Sequence, residues 1–130
     1  MTKGIQIIKS ENLIKNAHGA AQADITSAEK KLNVRFSSDF KEYLSEVGSC
    51  IFRSHEIVGI GKNRNTDVVS VTEDARDLNP SVPANLYVIE DTHFDGIIIW
   101  QDESGTVWQT YPNAQPKKIA DSLLAYLGIE

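Results

Sequence analysis

Residues 96–111 read GIIIWQDESGTVWQTY and decide the fold, because they contain two strand-like segments joined by a turn. Gly96–Gln101 and Thr106–Tyr111 are rich in β-branched and aromatic residues, as strands are. Asp102–Gly105 between them is polar, and Gly105 tolerates the positive φ that a tight turn requires. The sequence therefore predicts an antiparallel β-hairpin with one tryptophan on each strand.

The register of this hairpin decides which face of the sheet each tryptophan occupies. We expect Trp100 to lie opposite Val107 and Trp108 opposite Ile99, which places the two indoles on opposite faces. Both faces are apolar here. The hairpin is then either covered on both sides, or one face is a docking surface for which Trp100 is the candidate anchor.

Helices are predicted before and after the hairpin in the chain. The best defined carries Phe40, Tyr43, Leu44 and Val47 at the i, i+3, i+4, i+7 spacing of one helical face, and Gly48 is placed to end it. Three further helices are predicted at residues 27–32, 67–78 and 119–127.

The ends of two of these helices have recognisable signals. Thr26–Glu29 matches a capping box at the start of the predicted helix 27–32. Asn79–Pro80 ends the predicted helix 67–78. Leu86–Glu90 adds a third strand before the hairpin. Because the links between strands are too short for crossover helices, we expect an α+β fold: a single domain with a mainly antiparallel sheet and helices packed on one face.

The distribution of charge restricts the class of partner. The chain has 130 residues with 13 Lys+Arg and 18 Asp+Glu, a formal net charge of −5. This balance opposes a general nucleic-acid-binding face, which needs clustered cations for the phosphates. Residues 67–103 contain 9 acidic residues and 1 basic residue, so the acidity is concentrated in one third of the chain.

The compartment is predicted from the cysteine count and the apolar runs. A single cysteine, Cys50, forms no internal disulfide, which is typical of a reducing compartment. The first residues become polar too early for a signal peptide, and the longest apolar run, Ile97–Trp100, is far shorter than a membrane span. We expect a cytoplasmic protein without membrane contact.

No sequence motif predicts catalysis or a cofactor. Phosphate-loop, nucleophile-elbow and zinc-protease patterns are absent from the sequence. Cys50 precedes an apolar segment and is interpreted as a core residue. Asp91–Asp95 lacks the spacing of a metal site and is interpreted as a polar turn, with Glu90 as a solvated carboxylate. We expect no enzyme activity, no metal and no cofactor.

Five segments are similar in order and spacing to one known family. They are residues 25–32, 36–48, 88–100, 105–108 and 119–124. Together they resemble the SUKH superfamily, which includes the yeast Smi/Knr cell-wall regulators and many bacterial immunity proteins. The resemblance implies a SUKH-like α+β domain at residues 25–130, preceded by an N-terminal extension at residues 1–24.

The resemblance also implies a binding module without catalysis. Many bacterial members neutralise a cognate toxin, often a nuclease, whose basic cleft an acidic surface can approach and block. Our leading hypothesis is therefore a toxin-immunity protein, with Asp91, Asp95, Asp102 and Glu103 as the charged rim of the contact and Trp100 as its anchor. The alternative is a regulatory or scaffolding module with an endogenous partner, as in cell-wall synthesis.

Overall fold

The hairpin at residues 96–111 lies at the centre of the molecule, which the computed structural model describes over residues 1–129. The helices are α1 (Lys3–Glu11), α2 (Gln22–Leu32), α3 (Ser38–Glu46), α4 (Val68–Leu78) and α5 (Leu123–Tyr126). The strands are β1 (Cys50–Phe52), β2 (His55–Ile57), β3 (Tyr87–Asp91), β4 (Ile98–Gln101), β5 (Val107–Thr110) and β6 (Lys117–Ala120).

Two antiparallel sheets carry these strands. The larger sheet has the order β3-β4-β5-β6, and β1 pairs with β2 in a separate hairpin. The two sheets meet at the outer edge of β3, where the Val58 amide donates to the Ile89 carbonyl at 3.0 Å. The predicted α+β class with an antiparallel sheet is therefore confirmed.

The predicted register of the central hairpin is wrong by one residue. Trp100 pairs with Trp108, not with Val107, so the two indoles lie on the same face. The reason is the length of the turn: the Asp102 amide donates to the Thr106 carbonyl at 3.1 Å, which leaves a three-residue loop. Gly105 has a φ of +98° at the end of this loop, as its sequence position predicts.

The core lies between the sheet and the apolar stripes of the helices. Phe40, Tyr43, Leu44 and Val47 are all buried, which confirms the predicted face of α3. The ring centroids of Phe40 and Tyr87 are 5.3 Å apart, so α3 packs directly on β3. All four residues of β4 are buried, and this strand is covered on both faces.

A buried amide connects the hairpin to the elements around it. Gln101 has no exposed surface, and its Oε1 accepts a hydrogen bond from the Tyr87 hydroxyl at 2.8 Å. Its Nε2 donates to the Gly105 carbonyl at 3.0 Å and to Asp39 Oδ1 at 3.2 Å. Asp39 Oδ2 in turn accepts from the Leu123 amide at 2.8 Å. This Gln101 network joins β3, α3, the hairpin turn and α5.

The first residues of the chain also contact the core. Ile5 and Ile8 of α1 have no exposed surface. Asn12 follows the helix, donates from Nδ2 to the Ser49 carbonyl at 2.9 Å and accepts at Oδ1 from the Ile51 amide at 3.1 Å. These contacts fasten the segment predicted as an N-terminal extension to β1.

The second helix begins earlier than predicted. α2 starts at Gln22, so Thr26 lies inside the helix and the predicted capping box at residues 26–29 is wrong. Glu29 instead accepts from the Phe36 amide at 2.8 Å through Oε2. Its carboxylate therefore orders the connection that follows α2. By contrast, α4 matches the helix predicted at 67–78 to within one residue, with Asp67 as the N-cap that accepts from the Ser70 amide.

The apolar stripe at residues 119–127 forms a strand and a short helix. Lys117–Ala120 pairs with β5 as β6, and only Leu123–Tyr126 is helical. The predicted helix at 119–127 is therefore wrong in its first part, because pairing with β5 supplies backbone partners that an isolated helical turn there would lack.

We expect Gln101→Ala to lower the free energy of unfolding by about 3 kcal/mol, because it leaves several buried hydrogen-bonding groups without a partner. Urea denaturation measures this loss. Gln109→Ala is the matched control, since Gln109 is half-buried on the neighbouring strand, and its effect should stay within about 0.5 kcal/mol. Equal losses for the two variants would contradict the role assigned to Gln101.

Candidate protein-binding surface

The predicted contact residues lie at two ends of β4. Asp91 and Asp95 are at the end where the turn 92–97 connects β3 to β4, and we call this the groove end. Asp102 and Glu103 are at the opposite end, in the β4–β5 turn, which we call the hairpin end. A four-residue strand separates the two pairs by roughly 13 Å. The structure therefore does not bring the four carboxylates into one cluster.

Trp100 lies between these ends and has no exposed surface. Its Nε1 donates to Thr110 Oγ1 at 2.9 Å, which satisfies the only polar group of the indole. The expected role of Trp100 as a surface anchor is thus not supported by its position, because β4 is covered on both faces. Trp108 is the tryptophan that is only half-buried.

At the hairpin end, Asp102 is occupied by hydrogen bonds within the turn. Its Oδ1 accepts from the Thr106 amide at 3.1 Å and from the Ser104 hydroxyl at 2.6 Å. Its Oδ2 accepts from Trp108 Nε1 at 3.1 Å. This carboxylate shapes the turn, and Glu103 beside it is exposed.

A groove of about 380 Å³ opens at the groove end, between α4 and the turn 92–97, and we call it the α4 groove. The buried apolar residues that line it are Val71, Ala75 and Ile98. Leu78 lies on the same helical face as the first two and also lines the groove, but it is 81% exposed. The groove thus combines an apolar lining with an unusually exposed leucine.

Two loops at the groove end are held in defined conformations. In the turn 92–97, Asp91 Oδ1 accepts from the His93 amide at 2.9 Å, and the Thr92 hydroxyl donates to the Ile97 carbonyl at 2.8 Å. Gly96 has a φ of +71°, and a Cβ at this position would lie 2.7 Å from Pro112 Cγ. The loop after β5 is therefore in contact with this turn, and Asp91–Asp95 forms a polar turn as predicted.

The charged residues that line the α4 groove are two carboxylates and Arg64, and His93 lines it as well. Asp74 and Asp91 both line it. Asp74 Oδ1 is 2.6 Å from Arg64 Nη2, and both side chains are more than half exposed. Asp91 Oδ1 is 3.7 Å from His93 Nδ1. Because solvent screens such exposed pairs, they contribute little stability and can exchange for a partner's charges.

Glu90, next to this groove in sequence, is buried, and its prediction as a solvated carboxylate is wrong. Its Oε1 lies 3.0 Å from His55 Nδ1 and accepts from the Tyr126 hydroxyl, and its Oε2 accepts from the Glu56 amide at 3.0 Å. The register of β3 shifts between Val88 and Glu90, and this shift places Glu90 opposite Ile99 of β4. Burial and the neighbouring carboxylate raise the pKa of Tyr126 well above its usual range.

Cys50 is fully buried in β1, in agreement with its interpretation as a core residue. Burial raises the pKa of its thiol to about 11, so at neutral pH the group is a thiol and not the nucleophilic thiolate.

Within residues 1–129, no group of three His, Cys, Asp or Glu side chains is arranged to hold a metal ion. None of the helices in this range has the length and apolar character to cross a membrane.

Sequence reasoning missed the α4 groove, because its lining comes from four separate parts of the chain. The signal that was available is the helical spacing of Val71, Ala75 and Leu78, which predicts a shared face. That spacing alone does not show that Leu78, at the end of this face, lies outside the core and is exposed.

The family of the chain is indicated by a model described as SMI1-KNR4 cell-wall, SUKH_5, which matches residues 1–128. The matched range begins at the first residue and includes α1. Among curated proteins, none matches the chain significantly.

We expect the Cys50 thiol of the folded protein to react with Ellman's reagent at pH 8 at least ~100-fold more slowly than an exposed thiol, because its high pKa and burial remove the thiolate. The exposed thiol is supplied by Ser104→Cys in a Cys50→Ala background, since Ser104 lies in the exposed turn. Comparable labelling rates would contradict the burial of Cys50.

Proposed function

Because the chain belongs to the SUKH family of SMI1-KNR4 domains, we propose that it is an immunity protein that binds a cognate bacterial toxin and neutralises it by direct protein–protein contact. The match over residues 1–128 is the observation that carries this proposal, since it supports a protein-interaction domain of the immunity or SMI1/KNR4 type. Neutralisation then requires no chemical step, because the bound protein covers the active site or the substrate-binding surface of the toxin.

The groove end is the surface that we propose for this contact. Asp91 and Asp95 supply negative charge there, and Leu78 and Phe94 supply apolar area, being 81% and 66% exposed. Exposed apolar side chains beside charged groups are typical of protein interfaces, where burial gives affinity and charge gives specificity.

The hairpin end is the second part of the proposed contact. Glu103 is exposed and available to a partner, whereas Asp102 is held by its own turn. A partner that contacts all four predicted carboxylates has to span the full length of β4. Trp100 contributes to such a contact only by supporting the strand from inside.

Charge suggests the class of toxin. The acidic segment of residues 67–103 favours a toxin whose contact surface is basic, and a nuclease has such a surface because it binds phosphates. An acidic protein that approaches this surface is steered to it and competes with the nucleic acid. We place this encounter in the cytoplasm of the producing cell or its siblings.

A regulatory module is the second candidate function. The association of the SMI1-KNR4 family with the cell wall favours it, because a cell-wall role implies an endogenous partner. The two functions differ in what lies beside the gene: an immunity protein has a toxin gene as a neighbour.

The proposal predicts that co-expression with the toxin domain encoded by the neighbouring gene restores growth, and that the two proteins co-elute from a size-exclusion column. A stably folded protein that neither protects cells nor forms this complex would overturn the immunity function. Binding to a native regulator or biosynthetic enzyme in its place would support the regulatory module.

Two matched neutralisations distinguish the ends of β4. We expect Asp95→Asn to slow association with the toxin about threefold at low salt, because it removes a steering charge at the groove end. Asparagine also tolerates the positive φ of 54° at this position. Glu103→Gln removes one exposed carboxylate at the hairpin end and should have a smaller effect. Surface plasmon resonance measures both rates, and a larger effect of Glu103→Gln would reverse the assignment.

A further inference from the structure

The α4 groove has the size and lining of a site for a side chain. Its volume of about 380 Å³ falls at the small end of ligand pockets, which range over about 300–1,000 Å³. Val71, Ala75 and Ile98 give it an apolar interior that is already formed in the free protein. Leu78 adds apolar surface that only a partner can cover.

The charges around the groove select the kind of group that can accompany this side chain. Asp74 and Asp91 line the groove, and Asp95 is exposed in the adjoining turn. An acidic segment would meet like charges here, whereas a lysine or arginine would meet carboxylates on both sides of the groove.

The basic side chains that line the groove, Arg64 and His93, are both exposed, so a partner can displace them from Asp74 and Asp91. Arg64 is paired with Asp74 in an exposed contact. Arg76 is directed elsewhere, since its Nη2 donates to the carbonyl of Ala84 at 2.9 Å and approaches that of Leu86 at 3.4 Å. A partner's cation can therefore replace Arg64 at Asp74 without leaving a buried charge unpaired.

We infer that the α4 groove binds a segment of the partner protein that carries an apolar side chain next to a lysine or arginine. The apolar side chain enters between α4 and the turn 92–97, and the cation lies between Asp74 and Asp91. This inference rests on the proposed function, because it names the partner's contact chemistry at the same surface. A symmetric contact between the groove ends of two copies fits poorly, since both ends carry negative charge.

The inference is tested with a defined probe, acetyl-Phe-Arg-amide, titrated into the ¹⁵N-labelled full chain and followed by ¹H–¹⁵N NMR spectra. We expect chemical-shift changes that are concentrated at Val71, Ala75, Leu78, Asp91 and Ile98. The charge-reversed probe acetyl-Phe-Glu-amide should bind about tenfold more weakly, because its carboxylate faces the carboxylates of the groove. Equal binding of the two probes, changes centred elsewhere, or no change up to the solubility limit would overturn the inference.

Two exposed leucines provide matched variants for the apolar half of the inference. Leu78→Ala should weaken acetyl-Phe-Arg-amide at least ~3-fold, because it removes apolar contact at the groove. Leu13→Ala removes an equally large side chain that is 66% exposed outside the groove, and it should leave probe binding unchanged. Both changes are at exposed sites, so the fold is expected to persist. Equal effects of the two variants would overturn the inference.

The results for the inference and for the proposed function can be separated. If the wild-type protein protects cells from the toxin but the probe does not bind in the groove, the inference fails and the immunity function stands. If the probe binds as expected but no toxin is neutralised, the immunity function fails and the groove's preference for apolar and basic groups is supported.

Discussion

The side-chain amide of Gln101 is the contact on which the rest of the structure depends. It has no exposed surface, and its oxygen and nitrogen are both hydrogen-bonded, to Tyr87, Gly105 and Asp39. A buried amide is costly unless all its groups are paired, and this requirement permits one arrangement of β3, the hairpin turn and α3. Through Asp39, the same network reaches the amide of Leu123 at the start of α5. Specificity of the fold is thus concentrated at one polar position inside an apolar core.

A difference of one residue in strand register has a large consequence for the surface. Pairing of Trp100 with Trp108 puts both indoles on one face, where one is buried and the other half-exposed. The alternation of the strand was readable from the sequence, and the hairpin was predicted correctly. The loop length was not predicted correctly, because Asp102 can either be the first residue of the turn or pair with Thr106 as the last residue of the strand. Its side chain settles the choice by accepting from the Thr106 amide.

Neighbouring acidic residues at the end of β3 have opposite roles. Glu90 is buried against His55 and Tyr126, while Asp91 faces the α4 groove. The alternation of the strand separates a carboxylate that holds α5 in place from one that a partner can reach, and the irregularity before Glu90 decides which residue takes which face. A count of charges along the sequence does not distinguish the buried Glu90 from the accessible Asp91. The proposed acidic contact surface is therefore smaller than the sequence suggests, but it is better defined, since it adjoins a groove with an apolar lining.

The sequence by itself determined the α+β class, the apolar face of α3, the bounds of α4 and membership of the SUKH family, which the match over residues 1–128 confirms. These features depend on local periodicity, on capping groups and on the order of short motifs, all of which are written along the chain. The tertiary structure alone decided which carboxylates are exposed, which tryptophan is buried and that a groove exists. Those properties arise where distant segments meet, because burial is set by the elements packed around a side chain and not by its neighbours in sequence.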